Sequence, residues 1–197
     1  STLDELRAAM EGFDGCPLKL GARNTVFADG NPAAKVMFIG EAPGRDEDRE
    51  GKPFVGRSGQ LLDRMLAAIG LDRGSDDPAK SAYITNTVPW RPVENRDPST
   101  AEMAMLWAFL DRHIELAAPD YIVALGRPAA SVMVDGPGRI TQLRGRWLSP
   151  PRAKGRPLLP TFHPAYLLRQ PMEKSKSWRD LLSLRAALDG ETPNIEA

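Results

Sequence analysis

The sequence predicts an α/β layered fold with a mostly parallel sheet. Two observations carry this: short apolar runs recur along the chain, and stretches with helical spacing lie between them. Four runs read as buried strands, KVMFIG at 35–40, AYITN at 82–86, YIVALG at 121–126 and PLLPTFHP at 157–164. They are close to continuously apolar rather than alternating, which suits strands covered on both faces. Helical patterns occupy 58–69, 100–116 and 128–134, and another at 174–188 closes the chain. The expected architecture is one domain, residues 1–197, with a central, mostly parallel four-stranded sheet flanked by helices. No internal repeat or low-complexity tract interrupts it, and the Pro-rich segments 89–98 and 150–160 are too short and too strand-flanked to be domain linkers.

Composition agrees and narrows the function classes. With 197 residues, 42% of them hydrophobic and 26% charged, the chain can bury one full core. It has no run of about 18 apolar residues and no basic-then-apolar start, so the expectation is a cytoplasmic protein without a membrane span. A single cysteine, Cys16, excludes an internal disulfide and cannot alone supply a structural metal or cluster site. Formal charge is zero, but from Arg139 to Arg179 ten basic residues face one acid, Glu173. That asymmetry predicts one basic surface of the kind that binds nucleic acid, with an ordinary solvated face as the alternative.

In such sheets ligands bind outside the carboxyl ends of the strands. Three distinctive segments fall there: GEAPGRDEDREGKPFVG after the first strand, Asn86 at the end of the second, and His163 with Pro164 after the fourth. Taken together, GEAPG at 40–44, KPFVG at 52–56, TN at 85–86 and HPAYLLR at 163–169 resemble the uracil-DNA glycosylase superfamily, with family 4 the nearest pattern. The resemblance spans the chain from about Cys16 to the last helix. It implies a DNA-repair enzyme that flips uracil out of single- or double-stranded DNA and hydrolyses its N-glycosidic bond, leaving an abasic site. The partners would be uracil-containing DNA and the abasic product, with the protein acting as a monomer and without a cofactor.

The chemistry asked of such an enzyme assigns roles to these residues. A flipped base must be stacked on its face and read along its Watson–Crick edge. The resemblance places Phe54 under the uracil ring. Asn86 offers one amide donor and one acceptor, matching uracil O4 and N3–H, whereas cytosine presents the reverse. Bond cleavage leaves negative charge on the departing base, and His163 is the expected donor near O2. Glu41 is expected to position the attacking water and stabilise the cationic sugar. Ala42, Gly44 and Glu47 are expected on the pocket wall, Glu47 with a share in a water network. Leu167, Leu168 and Arg169 resemble the loop that enters the duplex, with at least one leucine expected in the core and Arg169 on phosphate. Arg57, Ser58 and Lys174 are further expected DNA contacts. The other histidine, His113, reads as structural.

The pattern also departs from family 4. Typical members hold a four-iron cluster on four cysteines, and the corresponding positions here are Phe13, Cys16, Trp90 and Leu106. Three ligands are replaced by large apolar groups, so these residues are expected to meet as a hydrophobic plug without metal. A related branch captures DNA covalently through a histidine in an inserted loop; residues 91–100 contain none. The alternative reading is a damage-binding or abasic-site-binding protein with weak or lost catalysis. A small-nucleotide hydrolase or transferase is a third, without a GxGxxG or phosphate-loop pattern to support it.

Overall fold

The computed structural model describes residues 1–196. In chain order the helices are α1 (Leu3–Gly12), α2 (Leu18–Gly21), α3 (Arg45–Glu50), α4 (Arg57–Ala68), α5 (Thr100–Ala117), α6 (Arg127–Val134), α7 (Ile140–Leu143), α8 (Pro164–Arg169) and α9 (Lys174–Leu188). The strands are β1 (Asp29–Gly30), β2 (Val36–Gly40), β3 (Tyr83–Asn86), β4 (Tyr121–Leu125) and β5 (Leu158–Thr161). They form one sheet in the order β1-β3-β2-β4-β5, with every pairing parallel except that of β1. All four expected strands are present. The fifth, β1, is a two-residue antiparallel edge whose Asp-Gly composition carries no strand signal.

Successive side chains of β2 point to opposite faces, and both faces are covered. Val36 and Phe38 pack with Leu62 and Leu66 of α4 and Leu181 and Leu184 of α9. Met37 and Ile39 pack with Leu110 and Ile114 of α5 and Ala129 and Met133 of α6. This double cover is why the strands read as continuous apolar runs. It also leaves only the strand ends open to solvent, and β2, β3 and β5 deliver Gly40, Asn86 and Thr161 to the same end.

A third cluster lies under the N-terminal segment. Cys16, Trp90 and Leu106 are each 1% exposed and share it with Leu6, Met10 and Leu18, and Phe13 packs against its edge. The Trp90 indole N–H donates to Thr25 Oγ1 at 2.9 Å, so the ring enters the core with its polar atom satisfied. Burial raises the Cys16 thiol above its ordinary pKa, which suppresses thiolate chemistry. One buried thiol among three hydrocarbon or indole side chains does not fit an iron–sulfur cluster, and the expected plug is what occupies these positions. No helix among the described residues is long and apolar enough to cross a membrane.

Candidate active site

Strand β2 ends at Gly40 and the chain turns at Glu41, whose carbonyl is held by the Thr87 hydroxyl at 2.8 Å and by Val88 N–H. This stitches the ends of β2 and β3 together. Gly40 is needed there because a Cβ would lie 2.6 Å from both Asn86 Oδ1 and Phe54 Cζ. The same measurement shows that the amide and the aromatic ring meet over one backbone position. The Phe54 ring in turn stacks on His163, with centroids 5.3 Å apart and planes 29° from parallel. Phe54, Asn86 and His163, from three distant parts of the sequence, therefore come together through Phe54, which faces Asn86 across Gly40 and stacks on His163. They do not line one open cavity. Phe54 and Asn86 are 5% and 8% exposed, whereas Glu41 and His163 line a cavity of about 900 Å³ shared with Arg127, Tyr166 and Arg169.

Phe54 adopts a left-handed backbone, φ 54°, which a bulky residue reaches only when its surroundings impose it. They do so from three sides. Arg73, largely buried, donates to the carbonyls of Pro53 and Phe54, each at 2.9 Å. Glu47 accepts Gly44 N–H on one carboxylate oxygen and Val55 N–H and Gly56 N–H on the other. Gly59 lets α4 pass close, since a Cβ there would stand 1.9 Å from the Phe54 carbonyl oxygen. Glu47 is thus a strut rather than the expected pocket-wall or water-network residue, because backbone donors already occupy both its oxygens. Arg73 was not foreseen: it sits in LDRGSDD, where no local pattern distinguishes it from a surface arginine.

His163 caps α8, its Nδ1 accepting Ala165 N–H at 3.0 Å. Burial, with a smaller contribution from Arg169, pushes its pKa down to about 4. The ring is therefore neutral at ordinary pH, and with Nδ1 used as acceptor its proton resides on Nε2. That is a fixed donor carrying no full charge. Asn86 Oδ1 and Glu41 Oε1 are two of the three buried side-chain polar atoms without a partner among the described residues. Unmet buried acceptors are costly, and their concentration here marks a place built for a ligand's donors. Burial, reinforced by Asp97, raises the Glu41 carboxyl to about 7. Ala42 and Gly44 line a smaller recess of about 110 Å³ with Glu41 and Asp97.

The expected DNA contacts divide. Arg57 and Arg169 are exposed, Ser58 and Leu168 half-buried at the rim. Leu167 is 1% exposed and packs with Leu61 and Phe162, so it supports α8 from within and is not a duplex-entering residue. Lys174 borders a separate apolar groove of about 220 Å³ between α4 and α9. The expected single basic surface is also corrected. Arg144 pairs with Asp180, Arg146 with Glu196, Arg152 with Asp111 and Lys154 with Glu115, all outside the run, and Lys176 with Glu173 inside it, so half of the ten cations are ion-paired. His113 is structural as expected: it is stacked on Phe27 and bonded to the Tyr83 hydroxyl at 2.8 Å. Among the described residues no group of three or more His, Cys, Asp or Glu side chains is placed to hold a metal ion.

Comparison with known proteins bears on this geometry. Residues 27–182 match the family model of the uracil DNA glycosylase superfamily. The type-4 uracil-DNA glycosylase of Thermotoga maritima is 44% identical over 78% of this chain and 77% of its own length. That of Archaeoglobus fulgidus is 34% identical over 98% of this chain and 97% of its own. A DNA polymerase of Bacillus phage SP01 is 30% identical over 98% of this chain, a match that spans 19% of the polymerase. On the match over residues 27–182 and these identities, the chain belongs to the uracil DNA glycosylase superfamily.

Proposed function

We propose that this protein is a monofunctional uracil-DNA glycosylase that hydrolyses the N-glycosidic bond of uracil flipped from single- or double-stranded DNA. Free uracil and an abasic site are the products. The observation that carries the reading is that Phe54 faces Asn86 across Gly40 and stacks on His163, with Asn86 Oδ1 left without a partner among the described residues. That oxygen matches uracil N3–H, the amide N–H matches O4, and cytosine would meet each with a like group. Failure to pair costs roughly 1–3 kcal/mol per buried group, enough for discrimination.

Catalysis follows from charge that appears as the bond stretches. The electron pair of the N1–C1′ bond stays with uracil, and His163 Nε2–H stabilises the developing negative charge at O2. Water then adds to the cationic C1′, with Glu41 positioned to accept its proton. Phe54 stacks on the base, while Leu168, Arg169, Arg57 and Ser58 hold the strand at the rim, the protein acting as a monomer. No step calls on a metal or organic cofactor.

The test is incubation with uracil-containing single- and double-stranded oligonucleotides in EDTA, with cytosine, thymine and hypoxanthine controls. Alkali-labile sites at uracil are the expected result. Tight binding without such sites would replace this reading with a damage-binding protein.

A further inference from the structure

His163 must present one proton at one place, and its immediate contacts account for only part of that. Its Nδ1 is fixed by Ala165 N–H, and the backbone of Gly126 passes so close that a Cβ there would lie 2.9 Å from the His163 Cβ. Gly126 is tied in turn to the end of β5, its N–H donating to the Thr161 carbonyl at 2.8 Å. The place of His163 is therefore inherited from Thr161, two residues before it. Thr161 is fully buried, and its hydroxyl donates to Asp180 Oδ2 of α9 at 2.6 Å. Asp180 is itself 2% exposed; it accepts Arg144 Nε on the same oxygen at 3.0 Å and Arg144 Nη2 on Oδ1.

The partners of this carboxylate come from three elements. Arg144 stands at the C-terminal end of α7, and its guanidinium carbon lies 6.0 Å from the ring centroid of Phe162, the residue between Thr161 and His163. The next residue, Gly145, adopts φ 79° and donates its N–H to the Pro160 carbonyl at 2.9 Å; a Cβ there would stand 2.7 Å from Asp180 Oδ1. The end of α7, β5 and α9 are thus clamped around Asp180. A buried pair of this kind adds little net stability, because desolvation offsets the attraction, but its directional hydrogen bonds fix where the partners sit. The reaction described above gives it no task. We propose that Asp180 is a positioning residue that, braced by Arg144, holds the end of β5 through the Thr161 hydroxyl and so aims His163 Nε2–H at the departing base. The kinetic consequence rests on the glycosylase reading; the positioning of the ring does not.

Asp180→Ala would strand the Arg144 guanidinium and is expected to unfold in part, so the Thr161 hydroxyl is the better handle. Thr161→Val removes the bond to Asp180 with little change of shape, and Thr161→Ser keeps it. Single-turnover excision by Thr161→Val is expected to fall about 10–100-fold, as a slight misplacement of a catalytic group does, with the Kd for uracil-containing DNA unchanged. Thr161→Ser should excise at close to the wild-type rate. NMR titration of the two histidines without substrate gives a second reading, with His113 assigned by its loss in His113→Gln. His163 should titrate at about 4 in the wild type and in Thr161→Ser, and should move up towards its ordinary 6.5 in Thr161→Val as the loosened ring gains water. His113 should keep its midpoint of about 4 in all three. General destabilisation would leave both midpoints of the folded protein in place. An unmoved His163 in Thr161→Val, or a loss of excision that appears as weaker DNA binding, overturns the proposal. If the wild type excises no uracil, the proposed function falls, and the His163 midpoint still decides the positioning.

Discussion

Asn86 and Trp90 stand four residues apart, yet they belong to regions built on opposite terms. Around Trp90 the side chains are buried, apolar or hydrogen-bonded, and the indole N–H has its acceptor. Around Asn86, two buried acceptors lack donors among the described residues, an aromatic residue is held at positive φ, and a large cavity opens beside Glu41. One region contributes stability; the other stores unmet interactions for a substrate. The difference teaches that packing and hydrogen bonding are completed around Cys16 and Trp90, while the strand ends beside Asn86 carry features that packing alone would not favour.

If that division is correct, substitutions in the two regions should fail in different ways. Trp90→Ala should cost about 3–5 kcal/mol of stability through the cavity it leaves, seen as a lower Tm and denaturation midpoint. Its excision rate per folded molecule should remain close to the wild type. A brown preparation with absorbance near about 400 nm after exposure to iron and sulfide would break the comparison, because it would mean that the plug yields to a cluster. Asn86→Ala should do the reverse, lowering single-turnover excision by about 10²–10³-fold as lost transition-state donors do. Its Tm should stay level or rise, since an unpartnered buried oxygen is removed. Arg73→Met should have an intermediate effect. Excision should fall roughly tenfold with little change in His163 or Asn86, because a slightly misplaced platform costs orientation rather than chemistry. Retention of the full rate would show that Glu47 and Gly59 suffice to hold Phe54.

The smallest effect concerns acid stability. His113 and His163 are both held near a pKa of about 4, below the ordinary 6.5, by burial. As pH falls below 6.5 the unfolded chain takes up these protons first, so stability that is complete above 6.5 is lost progressively towards about 4. Thermal melts across that window should show the slope, and His113→Gln should remove part of it while leaving the excision rate untouched.

Much of this was legible in the sequence. The parallel strands announced themselves because burial on both faces erases alternation, and α9 was bounded correctly at both ends by its spacing. The approach of Phe54 to both Asn86 and His163 and the plug around Cys16 were legible through the family resemblance, whereas the placing of Asn86 and His163 on different cavities was not. What escaped was whatever depends on where long side chains end. Glu47 and Arg73 look like loop charges until the backbone groups they grip are visible. Leu167 and Leu168 are indistinguishable as letters, and only the turn of α8 sends one inward. The basic run from Arg139 to Arg179 suggested a single surface because the acids that neutralise half of it lie up to fifty residues away in the chain.

The support of Phe54 has a consequence for anyone wishing to move this recognition edge to another scaffold. A transplant of KPFVG would carry the ring but none of its three restraints, which come from α3, from α4 and from the loop after α4. Freed of them, the residue would relax to negative φ and aim its ring elsewhere. The smallest portable unit therefore runs from Gly40 through Arg73, two helices and the segments that join them rather than a loop.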